Sequence, residues 1–240
     1  MSIEEINATT FGEFASKHVL KNFFQTKEYG ELMSHSDFSV MYIGAYHKDI
    51  LVAASLILYK ILSANIKYGY APRGFLVDFY NTDLLKAFTR KVKEFFLRRG
   101  FAFIKINPEI TYSVIDFDNK SKTINSKNKE LIANLKELGY DKLKDNLYFE
   151  SLLPKYTPVI YLPTYDFNSL DQNMVKNMKE SEYKGIRLVS RGEEELEKFY
   201  SFVEDKKNKT LTYYKYFYKT FKQSDMVDLL FAEVNYDTYV

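Results

Sequence analysis

Residues 66–106 read IKYGYAPRGFLVDFYNTDLLKAFTRKVKEFFLRRGFAFIKI, and three regular elements can be marked off within them. Leu84, Leu85, Phe88, Val92, Phe95 and Phe96 recur at helical spacing, so one face of a helix from Thr82 to Arg99 is apolar throughout. Thr82 can cap its start, and Gly100 suits a left-handed stop at its end. On the N-terminal side, Ile66–Tyr70 reads as a strand running into the bend Ala71-Pro72-Arg73-Gly74. On the C-terminal side, Phe101–Ile106 reads as a buried strand ended by Asn107-Pro108. Strand, bend, helix and strand in this order mark a mixed α/β architecture.

Working outward, Ser39–Tyr46 and Leu51–Leu62 read as a β-hairpin turned at His47-Lys48-Asp49. Ahead of it lie helices at Phe11–His18, capped by Thr10, and at Thr26–Met33. Behind the strand Phe101–Ile106, a polar stretch over 116–129 reads as loop and helix start, and a helix from Lys129 to Leu138 stops at Gly139. Pro154 and Pro158 punctuate a boundary, which divides the chain into domains 1–150 and 151–240. The second domain reads as strand Val159–Leu162, helix Ser169–Lys179, strand Gly185–Val189, helices Glu193–Lys206 and Thr212–Phe221, and strand Val227–Val234. That last run is apolar enough for a central strand and comes six residues before Val240. An exposed edge there would be sticky, so either a partner covers it or the chain is incomplete.

Composition excludes several chemistries. The 240 residues are 46% hydrophobic, enough for a substantial core and too many for wholesale disorder. No cysteine occurs, which removes disulfides, zinc–thiolate sites and cysteine nucleophiles. His18, His35 and His47 have no metal-ligand spacing, so no metal site is expected. The net charge of +2 does not announce nucleic-acid binding. The start, Met1-Ser2-Ile3-Glu4-Glu5, lacks a signal peptide's basic and apolar segments, and the longest apolar run, Ile50–Tyr59, is half a membrane span. A cytoplasmic protein is the expectation. The aromatic richness, 21 Tyr and 20 Phe, follows more simply from codon bias than from a functional surface.

Phosphate-binding glycine loops, the Rossmann fingerprint, zincin motifs and the nucleophile elbow are all absent. Positioning and backbone electrostatics must therefore outweigh any nucleophilic side chain. In Tyr70-Ala71-Pro72-Arg73-Gly74, a proline, an arginine and a permissive glycine at a strand end can present N–H groups and a guanidinium to an anion; the bland alternative is an ordinary surface turn. Asn107-Pro108-Glu109 either faces a cleft or merely ends a strand. Gln25 and Tyr29 either pack a helix or reach a ligand. In the last helix, Tyr214, Phe217, Tyr218 and Phe221 form a core stripe, while Lys215, Lys219 and Lys222 share another face. Those lysines either meet phosphates or are simply solvated.

These segments resemble, in order and over nearly the whole chain, the Fem-type (FemABX) aminoacyltransferases. Phe24-Gln25-Thr26-Lys27-Glu28-Tyr29-Gly30 is similar to their opening Q-S-x-x-W/Y-G. Tyr70–Gly74 with Asp78 resembles Y-A-P-R-G-P-x-x-D, the most specific match, and Lys105–Glu109 resembles K-x-D-P-E. Ser181–Gly192, Tyr213-Tyr214 and Leu230–Val234 continue the likeness.

The resemblance implies two GNAT-like domains, the second incomplete, and transfer of an amino acid from aminoacyl-tRNA to the stem peptide of a peptidoglycan precursor, UDP-MurNAc-pentapeptide or lipid II. The protein would then serve cell-wall biogenesis, with peripheral membrane contact through lipid II, no DNA partner and no cofactor beyond the aminoacyl-tRNA co-substrate. It implies substrate binding by Gln25, Tyr29, Tyr70, Pro72, Arg73, Gly74, Asn107, Glu109 and Tyr216, and tRNA contact by Lys215, Lys219 and Lys222. Residues 20–110 would form a cradle with a hollow beside the Pro72 bend. Met33, Asn107 and Thr212 depart from a lysine, an aspartate and an arginine usual in the family, and its later C-terminal segment has no counterpart, as in a truncation. A non-catalytic precursor-binding remnant is an alternative. An acyl-CoA transferase is another, disfavoured because the pyrophosphate-binding loop of such enzymes is not found.

Overall fold

The structure, a computed structural model, describes residues 1–63, 66–116, 119–143, 157–160, 166, 170–204, 209–234 and 237–239. The chain divides into two units, Met1–Lys142 and Leu143–Val240. This division falls ahead of the 150/151 boundary read from the prolines.

The first unit is built on a five-stranded sheet in the order β1 (Ser2–Glu5), β2 (Ser39–His47), β3 (Ile50–Ser63), β4 (Ile66–Ala71), β5 (Phe101–Ile106). The first three pairings are antiparallel, and β4 and β5 run parallel, joined through helix α3 (Thr82–Arg98). A parallel pair needs such a crossover, because a tight turn can only reverse the chain. The β2–β3 hairpin closes over Lys48 and Asp49, both at positive φ (49° and 64°), as the two-residue turn of a right-twisted hairpin requires.

Both faces of the sheet are covered. Helices α1 (Ala8–Lys17) and α2 (Lys27–Ser34) lie on one face, where Phe11, Ala15 and Met33 pack against Ala54, Leu56 and Leu58. On the other, Leu85, Phe88, Val92, Phe95 and Phe96 of α3 meet Met41, Ile43, Ala45, Ala53 and Ile57. The apolar stripe read from the sequence is this second contact, and each fully buried side chain in it contributes about 1.5–3 kcal/mol. Residues 53–58 of β3 are buried without alternation because the strand is central and has helices on either side.

Several expectations need correction. Helix α1 begins three residues early, capped by Asn7, whose Oδ1 accepts from Thr10 N; Thr10 is inside the helix and not its cap. Helix α3 is capped by Asn81 and not Thr82. Strand β5 ends the five-stranded order among the described residues: Phe101 is buried, but Phe103 is 56% exposed and stacks on Tyr68, so the strand is buried only in part, unlike the wholly buried strand its composition suggested. A small hairpin, β6 (Ser113–Asp116) and β7 (Ser121–Ile124), runs into the polar stretch expected as loop and helix start, and helix α4 (Ser126–Glu137) begins within that stretch, three residues ahead of Lys129.

In the second unit, helix α5 (Gln172–Tyr183), capped by Asp171, precedes β8 (Ile186–Arg191). A 3-10 turn at Glu193–Glu195, α6 (Leu196–Val203), α7 (Leu211–Lys222), β9 (Leu229–Val234) and β10 (Asp237–Tyr239) follow. The single helix expected over 193–206 is thus a 3-10 turn and a shorter α-helix, with 205–208 outside the described residues. β9 is central in the order β10-β9-β8, as its composition predicts. Leu196, Tyr218, Leu229 and Phe231 form the core of this unit. Residues 157–160 are not in a strand, and the rest of the strand expected at 159–162 lies outside the described residues.

Candidate functional site

The bend after β4 is a hydrogen-bonded turn. Gly74 N donates to Ala71 O at 3.1 Å, Pro72 occupies the second position and Arg73 the third with φ +53°. Proline followed by a residue of positive φ is the type II pattern, in which the third position is ordinarily glycine or asparagine. An arginine there is strained by roughly 1 kcal/mol, so the surroundings must hold it. Glycine at 74 is needed for a different reason from the one its flexibility suggested. A Cβ on it would lie 2.7 Å from Ser55 Oγ and 3.1 Å from Gln25 Nε2.

Two side-chain amides hold the central peptide of this turn, one at each end. Gln25, in a 3-10 turn at Phe23–Gln25 capped by Asn22, is almost completely buried. Its Nε2 donates to Pro72 O at 2.8 Å and Leu56 O at 3.2 Å, and its Oε1 accepts from Leu56 N at 2.9 Å and Ser55 Oγ at 3.2 Å. Two donors and two acceptors exhaust the amide. Gln25, expected to touch substrate, is instead a brace between β3 and the turn. The other end belongs to Asn107, whose Oδ1 accepts from Arg73 N at 2.9 Å and from the Tyr70 hydroxyl at 3.1 Å. The parallel register explains the meeting. Ala71 pairs with Ile106, so the residues that follow each strand emerge side by side.

Burial pushes the Tyr70 hydroxyl above its ordinary pKa, opposed by the bond to Asn107 and the nearby positive charge of Arg73. The Arg73 side chain is partly exposed, and no carboxylate pairs with its guanidinium among the described residues. Tyr70, Pro72, Arg73, Gly74 and Asn107 therefore form one cluster with an uncommitted cation at its edge. Chemically it can bind an oxyanion; it offers no nucleophile.

The other candidates lie elsewhere. Tyr29 on α2 packs its ring against Phe23 and Phe24 at 5.4 and 5.2 Å. Glu109 is exposed two residues beyond Asn107. In the second unit, Tyr216 on α7 is 39% exposed. Of the three lysines on that helix, Lys215 is paired with Glu197 at 2.9 Å and Lys222 with Asp228 at 3.7 Å; Lys219 is exposed without a carboxylate partner among the described residues. Ser55 and Asn22 escaped the sequence reading. The signal for Ser55 was its position as the lone polar residue in the apolar run of β3.

A cavity of about 470 Å³ lies between α3 and the end of α4, lined by Lys86, Arg90, Lys93 and Glu137 among others. It takes in none of the residues around the Pro72 bend, where the hollow was expected. Among the described residues no three His, Cys, Asp or Glu side chains converge as metal ligands, and no helix is long and apolar enough to cross a membrane.

Comparison with known proteins bears on this cluster. A model of the FemAB family matches residues 6–240. The aminoacyltransferase FemA of Staphylococcus aureus strain bovine RF122 / ET3-1 is 24% identical over 250 residues, an alignment covering 100% of this chain and 59% of FemA. FemA of strain NCTC 8325 / PS 47 gives the same identity and coverage. The crystal structure of FemX superposes with a TM-score of 0.79 over 98% of this chain and 58% of that one, at 18% identity. The mixed α/β, GNAT-like fold expected from the sequence is therefore the fold observed. The chain spans 59% of the length of the FemA proteins it matches.

Proposed function

This chain belongs to the FemAB family, and from that premise we propose that it takes part in aminoacyl transfer from aminoacyl-tRNA to the stem peptide of a peptidoglycan precursor. The observation that carries this reading is the braced turn at Pro72-Arg73, a rigid cation-bearing corner in the segment most specific to Fem-type chains. The acceptor is UDP-MurNAc-pentapeptide or its lipid-linked counterpart, and the reaction needs no cofactor.

The chemistry asks little of side-chain nucleophiles. The acceptor amine attacks the carbonyl carbon of the aminoacyl ester, a tetrahedral oxyanion forms, and the carbon–oxygen bond to the terminal ribose breaks. The new amide remains on the stem peptide, and the ribose hydroxyl leaves with a proton. An ester is already activated, so holding amine and carbonyl in line removes much of the barrier. A lysine amine with an ordinary pKa of about 10.4 must first lose its proton, which desolvation favours. In this reading Arg73 and its neighbours hold the precursor, and Lys219, with Lys215 and Lys222 released from their ion pairs, meets tRNA phosphate.

The test is incubation of the chain with charged tRNA and UDP-MurNAc-pentapeptide, followed by mass spectrometry of the peptide. A gain of one aminoacyl residue is expected. No gain across a panel of amino acids rejects transfer; if the precursor still binds, what remains is a precursor-binding protein.

A further inference from the structure

Helix α3 carries a charged surface on the side that meets α4. Asp83, Lys86, Arg90 and Lys93 follow at intervals of three or four residues, so they share one side of the helix, and all four are exposed. They line the cavity of about 470 Å³ together with Ala87 and the buried Thr89 of α3 and with Glu137 and Leu138 at the end of α4. Small-molecule sites commonly have volumes of ~300–1,000 Å³, so this hollow has room for a compact ligand.

The cations in it are not spent on the protein. Lys93 Nζ donates to Leu138 O at 2.8 Å and to Gly139 O at 3.2 Å, which fixes the ammonium and leaves one of its three donors. Lys86 and Arg90 have no carboxylate at ion-pair distance among the described residues, although Asp83 and Glu137 line the same hollow. Glu94, which feels the charge of Arg90, is bonded instead to Lys91 at 2.9 Å. Three cations against two carboxylates leave a surplus of one positive charge on a concave surface. That surplus suits a compact anion and is too small for a polyanion such as RNA. None of the lining residues is aromatic, so a nucleobase would find no ring to stack on.

We propose that the hollow between α3 and the end of α4 binds a compact phosphate ester, with Lys86, Arg90 and Lys93 donating to its oxygens. Guanidinium and ammonium groups are the donors that phosphate oxygens accept most strongly. The ester comes either from a lipid headgroup or from a small soluble phosphate. The site shares no residue with those assigned to the precursor or to tRNA, so its test is independent of the transfer assay.

The full chain is titrated with glycerol phosphate by calorimetry, and its sedimentation is measured with vesicles of phosphatidylcholine, with and without phosphatidylglycerol. Saturation by glycerol phosphate identifies a soluble source, and binding seen only with phosphatidylglycerol identifies a lipid. Lys86→Gln with Arg90→Gln should weaken whichever binding is found ~10- to 100-fold, as loss of charge-assisted bonds requires. Lys127→Gln with Lys129→Gln removes the same charge from exposed positions of α4 outside the hollow and should leave affinity unchanged. Asp83→Asn takes a carboxylate from the wall and should tighten binding roughly two- to fivefold, a gain that misfolding cannot mimic. Binding of neither probe, equal binding to phosphatidylcholine alone, an equal loss in the Lys127/Lys129 variant, or no gain in Asp83→Asn overturns the site. A single-stranded oligouridylate that binds more tightly than both probes, and loses that binding in the Lys86/Arg90 variant, overturns the compact ester in favour of nucleic acid.

Discussion

Gln25 Nε2 donates to the carbonyl oxygen of Pro72 at 2.8 Å, joining residues 47 positions apart in the chain. The same amide closes on Leu56 and Ser55, so one side chain binds the central strand to the turn that presents Arg73. Local helical context alone does not account for a buried glutamine at this position; the need to satisfy β3 and the turn does.

Replacing Gln25 with leucine fills similar volume and strands Pro72 O and Leu56 N, while the Ser55 hydroxyl keeps its bond to Leu56 O. Each unsatisfied buried group costs about 1–3 kcal/mol, and partial relaxation brings the sum to roughly 3 kcal/mol. Urea unfolding followed by tyrosine fluorescence should show this loss. A change within 0.5 kcal/mol, about the size of an ordinary surface substitution, would mean that the brace is dispensable.

Gly30 faces Tyr42 so closely that a Cβ would lie 2.0 Å from the hydroxyl oxygen and 2.8 Å from the ring carbon bearing it. The Tyr42 hydroxyl donates to Lys27 O, and its burial, with help from Glu28 and Glu31, pushes its pKa up to about 12. Gly30→Ala should therefore destabilise by about 1–3 kcal/mol through overpacking. Adding Tyr42→Phe removes the worse contact and leaves the ring contact, so the double variant should recover part of the loss. Full additivity in a double-mutant cycle would show that the two residues do not clash.

These residues show how much of the molecule was legible beforehand. Helix α3 and the β2–β3 hairpin were readable because their apolar patterns are long enough for period and length to agree. β1, β6 and β7 were not, since each has four residues and only Ile3 and Ser113 are even partly buried. Pro72-Arg73-Gly74 announced a turn, but sequence could not say that Arg73 takes the positive φ while Gly74 supplies space. Gln25 was the harder case. A glutamine has the same donors and acceptors whether it binds a ligand or the backbone, and only burial tells the roles apart. Asn107 was already a candidate in the sequence, but its bonds to Arg73 N and the Tyr70 hydroxyl follow from the parallel pairing of β4 and β5, a relation between distant strands that no local pattern encodes.

Lys48 and Asp49 close their hairpin in the left-handed region that asparagine and glycine favour. The double substitution Lys48→Asn with Asp49→Gly should stabilise the first unit by about 0.5–1 kcal/mol, because relief of the left-handed strain outweighs the entropy that glycine adds to the unfolded chain, visible as a rise of a few degrees in its thermal midpoint. Both positions are exposed in the turn, so packing is untouched. A fall in the midpoint would show that the hairpin does not hold the positive φ values described.

His18 closes α1 with its ring, accepting the Leu20 N–H on Nδ1 at 3.1 Å. An acceptor nitrogen must be unprotonated, and burial independently disfavours the cation; burial lowers the His18 pKa below 6.5, with the negative charge of Asp78 opposing it. The unfolded chain therefore binds a proton here more readily than the folded one. By linkage, this stability is fully present above pH 6.5 and is lost as pH falls through the lower folded pKa. Thermal midpoints should decline between pH 7 and 5 beyond what the carboxylates account for. His18→Asn keeps a side-chain acceptor for Leu20 and cannot titrate, so its profile should be flatter over that window with the pH 7 midpoint nearly preserved. If wild type and His18→Asn lose stability in parallel from pH 7 to pH 5, the proton is taken up elsewhere and the Nδ1–Leu20 bond does not govern the acid response.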